Sequence, residues 1–123
     1  MDAIIFRAIP TFRILDLNKA KEFYLDLLGF TLDWEHRFDS DAPVYMQISK
    51  NGLVIHLSEN VRFHAGAIVF VETKGIETFH NELSEKNISN LIPDISITNW
   101  NTKQIELEDP FGNLLRFNEN ITA

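Results

Sequence analysis

Residues 9–30 read IPTFRILDLNKAKEFYLDLLGF, in which a strand pattern is followed at once by a helix pattern. The strand pattern covers residues 3–15, which are largely apolar or β-branched and end in alternating polar and apolar side chains. Asp16 or Asn18 can cap the start of the helix, and Gly29 suits its left-handed end. The helix places apolar side chains on one face, at Leu17, Ala20, Phe23, Leu27 and Leu28.

Three more strands are predicted after this helix, at about residues 30–37, 43–50 and 52–59. Asn51-Gly52 is a strong two-residue hairpin signal between the last two. The same order of elements then begins again. A strand is predicted over residues 66–72, a helix over 75–87, and strands at about 90–97, 102–108 and 113–119. The turn EDPFGN carries Pro110 and Gly112.

The two halves of the chain resemble each other residue by residue, which indicates an internal repeat. Ala20, Phe23 and Leu27 align with Ile76, Phe79 and Leu83, an offset of 56 positions. The closing strands GLVIHLSE (52–59) and GNLLRFNE (112–119) align with an offset of 60. We therefore predict a single α+β domain over residues 1–123, made of two βαβββ modules (1–62 and 63–123). Their strands would form one curved, eight-stranded open sheet with the helices outside.

Composition narrows the classes of function. The chain has 123 residues and no cysteine, which excludes a disulfide framework, a thiolate metal site and a cysteine nucleophile. Its formal net charge of −7 disfavours binding to nucleic acid or anionic lipid and attracts cations, although an acidic surface can also serve solubility alone. The N-terminal segment MDAIIFRAIP lacks the long apolar run of a signal peptide, so we expect a cytoplasmic protein without a membrane span.

Several segments resemble a known superfamily. The residue 9–30 segment, LVIHLSE, GAIVFVE and DPFGNLLRF are similar to the glyoxalase and bleomycin-resistance superfamily, which has the vicinal oxygen chelate fold. The stretch LDWEHRF together with YMQISKNGLVIHLSE looks most like its bleomycin-resistance members. The resemblance implies a homodimer whose small-molecule ligand lies within the curved sheets.

The resemblance also bears on metal chemistry. It places the metal-ligand positions of the superfamily's enzymes near Ile9, His56, Ala67 and Arg116. Of these side chains only His56 can bind a divalent ion, and Arg116 is a permanent cation that repels one. A catalytic site needs about three protein ligands. We therefore expect no metal, no cofactor and no catalytic residue.

Strand alternation predicts which side chains line the concave side of the sheets. Apolar side chains of the closing strands and their hairpin partners should pack on the helices, leaving a polar set inside the cup. That set is Thr11, Arg13, Tyr45, Gln47, Ser49, His56, Ser58, Gln104, Glu106, Glu108, Arg116 and Asn118. A solvated sheet face would show the same polarity, so the pattern alone does not prove a ligand site.

Aromatic residues near the loops complete the predicted site. By the resemblance, Trp34, Phe38 and Trp100 match the aromatics that line an antibiotic groove at a dimer interface, and Phe63 lies at its rim. Packing in a core or a dimer is the alternative explanation, most of all for Trp34. The expected ligand is a cationic, aromatic small molecule of the bleomycin family. The predicted ligand-binding residues are Trp34, Phe38, Tyr45, Gln47, His56, Phe63, Trp100, Glu106 and Arg116.

Two other functions stay open from the sequence. One is an atypical, metal-free enzyme of the superfamily that uses His56, Glu106 and Arg116. The other is a binding module for a different small molecule with no role in resistance.

Overall fold

The computed structural model describes residues 2–86 and 92–121. The first module consists of β1 (Thr11–Arg13), α1 (Leu17–Lys21), β2 (Thr31–His36), β3 (Tyr45–Lys50) and β4 (Leu53–Ser58). The second consists of β5 (Ile68–Glu72), α2 (Ile76–Lys86), β6 (Ser96–Ile97), β7 (Thr102–Glu108) and β8 (Leu114–Asn120).

Helix α1 has the cap and the end that its sequence predicts. The Asp16 side chain accepts a hydrogen bond from the Lys19 N–H at 2.9 Å, which makes Asp16 the N-cap. The helix then widens into a π-helical stretch, Glu22–Leu27, where the Leu28 N–H donates to the Phe23 carbonyl five residues back. Gly29 ends it with a left-handed φ of 82°.

The strands form two four-stranded sheets with the same topology. Their orders are β1-β4-β3-β2 and β5-β8-β7-β6. The parallel pairs are β1 with β4 and β5 with β8. The remaining pairs are antiparallel. The α+β prediction of two βαβββ modules is confirmed, with the eight strands hydrogen-bonded as two sheets of four.

The core lies between each sheet and its helix, and both modules contribute to it. The alternating side chains Met46, Ile48, Ile105, Leu115 and Phe117 are all buried, as the sequence pattern predicts. The opposite sheet faces carry the polar residues. No helix within the described residues is long and apolar enough to cross a membrane.

Two strand predictions were too long. Of the strand predicted over residues 3–15, only β1 is paired, and Ile4, Ile5 and Phe6 are at least 85% exposed. Apolar character predicted this segment as strand, but no strand among residues 2–86 and 92–121 pairs with it beyond β1. Of the strand predicted at 90–97, the described part, residues 92–97, contains β6 as its one strand. Residues 90 and 91, like position 87 of the predicted helix, lie outside the described residues.

The structure also corrects the alignment of the two halves. The Ile14 N–H donates to the Ser58 carbonyl, and the Thr73 N–H makes the equivalent bond to the Asn118 carbonyl. Positions 14 and 73 are therefore equivalent. From the first strand of each half through its helix, the offset between the two halves is 59 residues, not the predicted 56. The offset of 60 in the closing strands comes from one extra residue in the last turn.

The turn between β7 and β8 connects the second module to the first-module helix through buried hydrogen bonds. Asp109 is buried, and its carboxylate accepts hydrogen bonds from the Tyr24 hydroxyl at 2.6 Å and from the Asn113 amide at 2.8 Å. The Asn113 side chain also accepts from the Gly66 and Ala67 N–H groups and donates to the Arg13 carbonyl. Burial and the nearby carboxylate raise the pKa of Tyr24 far above its usual value. We call this set of contacts the Asp109 junction.

Candidate functional site

A β-bulge in β2 directs Trp34 onto the concave face of the first sheet. Leu32 pairs with Ile48 and Trp34 pairs with Gln47, so the register shifts by one residue at Asp33. Strict alternation would place Trp34 on the core side together with Leu32. The extra residue, Asp33, turns the Trp34 side chain to the other face of the sheet. Trp34 is 42% exposed, and its ring stacks on Tyr45 at a centroid distance of 6.0 Å and an angle of 13°.

A chain of hydrogen bonds runs across this face from β1 to β3. The Thr11 hydroxyl lies 3.2 Å from the Tyr45 hydroxyl, which lies 2.8 Å from Nδ1 of His56. On the other side of the ring, Nε2 of His56 lies 3.0 Å from Oε1 of Gln47. An amide oxygen only accepts, so Nε2 carries the proton and Nδ1 accepts from Tyr45. Trp34 covers the imidazole edge-on, at a centroid distance of 5.3 Å.

The chain ends on a carboxylate at the edge of the sheet. The Gln47 amide donates to one oxygen of Asp33, and the Ser49 hydroxyl donates to the other, each at 3.0 Å. The bulge that turns Trp34 inward also makes these bonds possible, because it leaves Asp33 unpaired in the ladder. Asp33 was not predicted as a site residue, and the sequence contains no visible signal for the bulge.

His56 is held as the neutral imidazole. Burial is the main cause that lowers its pKa, and the positive charge of Arg7 lowers it further. Both ring nitrogens are engaged by neighbouring side chains. His56 therefore has no free lone pair for a substrate proton, and its role in this arrangement is to orient Tyr45 and Gln47.

The second sheet carries an ion pair at the equivalent place. Glu106 and Arg116 are cross-strand partners as Gln47 and His56 are, and Nε of Arg116 donates to Glu106 at 2.8 Å. Both side chains of this pair are about two-fifths exposed, 40% for Glu106 and 41% for Arg116. An exposed pair of this kind contributes little to stability, at most about 1 kcal/mol.

A second polar cluster of this sheet is less accessible than predicted. Asn118 is buried, donates to Gln104 at 3.1 Å and accepts from Thr102 at 2.6 Å. Ser58 in the first sheet is also buried. These two side chains were predicted to face the cup, but other protein groups cover them.

The remaining predicted residues lie apart from the cluster formed by Trp34, Tyr45, Gln47 and His56. Phe38 is 88% exposed in the loop after β2, and Trp100 is 59% exposed in the turn before β7. Phe63 is half-buried in the loop between the modules, where its carbonyl accepts from Arg13 at 3.2 Å. The structure thus brings Trp34, Tyr45, Gln47 and His56 together, and separately Glu106 and Arg116.

The residues at the family's metal positions do not fit a metal ion. The His56 nitrogens are occupied, Arg116 is paired with Glu106, and Ile9 and Ala67 have no donor side chain. Within residues 2–86 and 92–121, no three His, Asp or Glu side chains are grouped as a metal site would require.

Two βαβββ modules with polar and aromatic residues on their concave sheet faces define a protein of the vicinal oxygen chelate fold. A family model described as "Glyoxalase superfamily protein" matches residues 1–123. The chain belongs to the glyoxalase superfamily. No curated protein matches it closely enough to count as a relative.

Solved structures share this fold at low sequence identity. A bleomycin-binding protein complexed with bleomycin has a TM-score of 0.74 and 18% identity, covering 95% of this chain and 100% of its own. An antibiotic-binding protein from Streptomyces sp. CB03234 has a TM-score of 0.69 and 20% identity, with coverages of 97% and 100%. A glyoxalase-related enzyme from Clostridium phytofermentans has a TM-score of 0.74 and 19% identity, with coverages of 97% and 98%.

Proposed function

We propose that this protein is a non-catalytic binding protein that sequesters a bleomycin-family antibiotic. The observation that carries the proposal is the stacked Trp34–Tyr45 pair on the concave face of the first sheet. The indole is partly exposed, and it is held in place by a hydrogen-bonded platform rather than by a core. A flat aromatic group can stack on such a surface with little loss of side-chain freedom.

The charge near this pair suits a cationic ligand. Asp33 lies beside Trp34 in β2 and is exposed, and from the described residues each of its oxygens accepts one hydrogen bond. Each oxygen retains capacity for another donor. The net charge of −7 adds a longer-range attraction for cations. Relatives of the same fold whose ligand is bleomycin support the choice of antibiotic.

In the proposed antibiotic groove the Trp34–Tyr45 pair forms one wall. We assign the other wall to a second copy of the chain. The matching face of the second sheet exposes Ile68 and Phe70 at 56% and 53%. Burying these side chains in a two-fold dimer would stabilise the pair and enclose the ligand. In this arrangement Phe38, Phe63 and Trp100 lie at the rim. The protein would act in the cytoplasm.

The metal-free enzyme receives less support from the geometry. Its three proposed groups are already engaged, His56 with Tyr45 and Gln47, and Glu106 with Arg116. A general base needs to reach the proton that it removes.

Calorimetric titration of the protein with bleomycin tests the proposal. We expect saturable binding at submillimolar concentration that weakens as salt is added, because screening reduces the attraction of a cation. Spermidine, a cation without aromatic rings, is the control for charge alone. No heat of binding with bleomycin, or equal binding of spermidine, would exclude the proposed function.

A further inference from the structure

An open cleft of about 1170 Å³ lies between the modules, away from the Trp34 face. The β3–β4 hairpin end of the first module forms one wall, and α2 with the ends of β5 and β8 forms the other. Apolar side chains on both walls include Phe30, Leu53, Phe79 and Phe117.

This cleft is the counterpart of the Asp109 junction at the other end of the repeat. With the offset of 59, Lys50 occupies the position equivalent to Asp109, and Leu83 the position equivalent to Tyr24. Asp109 makes a buried bond to Tyr24. Leu83 has no polar group to offer Lys50, so the lysine side chain lines an open space instead.

The Lys50 amine lies at the C-terminal end of the first helix. Its Nζ donates to the Leu28 carbonyl at 2.7 Å and lies 5.0 Å from the centroid of the Phe79 ring. A second amine is nearby. A Cβ placed at Gly29 would be 3.0 Å from Nζ of Lys50 and 3.7 Å from Nζ of Lys86.

These neighbours act on the protonation of Lys50 in both directions. Burial is the main effect and lowers its pKa, Glu82 raises it, and the positive charge of Lys86 lowers it again. The resulting pKa is below the usual value of a lysine. Lys103 provides a contrast, because its hydrogen bond to Glu77 at 2.8 Å raises its pKa.

We propose that Lys50 is a reactive amine that captures small neutral aldehydes entering this cleft. Amines placed in apolar surroundings or beside another cation are the lysines that proteins use for imine formation. The amine nitrogen attacks the carbonyl carbon to give a carbinolamine. That intermediate loses its hydroxyl and the remaining amine proton as water, leaving the imine and no change in oxidation state.

The lining of the cleft selects the aldehyde. The carboxylates of Glu72, Glu82 and Glu119 line it and offset the charges of Lys50, Lys74 and the nearby Lys86. Because the charges balance, the cleft gives an anionic carbonyl compound no advantage over a neutral one. The aromatic walls favour an aliphatic chain next to the carbonyl carbon. The inference does not depend on the antibiotic site, since Lys50 is not part of that site and Phe70 is the one residue named in both.

Reductive trapping tests the assignment. The full-length protein is incubated with hexanal and cyanoborohydride near neutral pH, and the modified lysines are identified by peptide mass spectrometry. We expect Lys50 to be modified faster than Lys103 by roughly fivefold or more, because the neutral amine is the nucleophile. Equal rates at the two lysines would overturn the proposal.

Two variants and a shorter aldehyde sharpen the test. Lys50→Arg keeps the bond to Leu28 and should abolish the preferred modification, whereas Lys103→Arg should leave it unchanged. Lys86→Gln removes the neighbouring positive charge and should slow modification of Lys50. Ethanal should show a smaller preference for Lys50 over Lys103 than hexanal does. A preference that is independent of chain length, or a Lys50 rate unaffected in Lys86→Gln, would contradict the proposed site.

Discussion

The indole of Trp34 lies almost parallel to the phenol ring of Tyr45, with centroids 6.0 Å apart. A bulge at Asp33 creates this relationship by turning Trp34 away from the core side of β2. The hydroxyl of Tyr45 is fixed in turn by His56 at 2.8 Å. The concave face of the first sheet therefore presents an aromatic surface whose orientation is set before any ligand arrives.

Replacing Trp34 tests this surface directly. Trp34→Ala should weaken bleomycin binding by about two- to twelvefold, because the lost stack contributes about 0.5–1.5 kcal/mol and about 1.4 kcal/mol corresponds to tenfold in affinity. Calorimetry or fluorescence titration measures the change. Leu15→Ala is the matched control, since Leu15 is also exposed but lies outside the face. Unchanged affinity in Trp34→Ala would remove this side chain from the site.

Replacing Trp100 tests whether the rim of the proposed antibiotic groove contacts the ligand. The side chain is 59% exposed in a polar turn. Trp100→Ala should also weaken bleomycin binding, by about two- to twelvefold if the indole stacks on the ligand. Binding equal to that of the native protein would restrict the ligand to the first-sheet face.

His56 makes stability depend on pH. Its pKa is lower in the folded chain than its usual value because of burial and Arg7. The folded chain therefore binds fewer protons than the unfolded chain, so stability contributed by neutral His56 is present above its usual pKa and is lost as the pH falls. Urea midpoints should fall from pH 7.5 to pH 5.5 more in the native protein than in His56→Gln. A fall of the same size in both would show that other groups are responsible.

The Asp109 junction should dominate the stability of the module interface. Asn113→Ala removes four hydrogen bonds and leaves buried groups unpaired, so we expect a loss of about 3 kcal/mol in the free energy of unfolding. Tyr24→Phe removes one bond and should cost about 1–2 kcal/mol. Asn120→Ala, at an exposed position of β8, is the control. Denaturant unfolding would disprove the assignment if Asn113→Ala behaved like that control.

The predicted dimer depends on the exposed face of the second sheet. Light scattering should give a mass twice the 14.2 kDa of one chain. Phe70→Glu should shift the population toward the single chain, because a charge on this face disfavours its burial. An unchanged dimer in Phe70→Glu would mean that the interface lies elsewhere.

Sequence patterns predicted the elements well where local signals determine them. Asp16 caps α1, Gly29 ends it, and Asn51 and Gly52 form their turn with positive φ angles of 51° and 87°. Each of these depends on a residue's own conformational preference or on bonds within one turn.

Features that depend on distant contacts were not predicted. The π-helical widening, the bulge at Asp33 and the true offset of the repeat leave no mark in the apolar periodicity. Apolar periodicity alone aligned Phe23 with Phe79. The hydrogen bonds of the strands instead make Ala20 the position in the first half that is equivalent to Phe79. For the site, alternation correctly put Tyr45, Gln47 and His56 on one face, but it could not show which partners hold them.

The contacts of the Asp109 junction take one partner from each half of the repeat. Asp109 belongs to the second half and Tyr24 to the first, and the second half has Leu83 at the position of Tyr24. Two copies of the second half would bury the Asp109 carboxylate against a leucine, and two copies of the first half would have a lysine in place of that carboxylate. Neither half can therefore form this junction with a copy of itself, so each half of the chain needs the other.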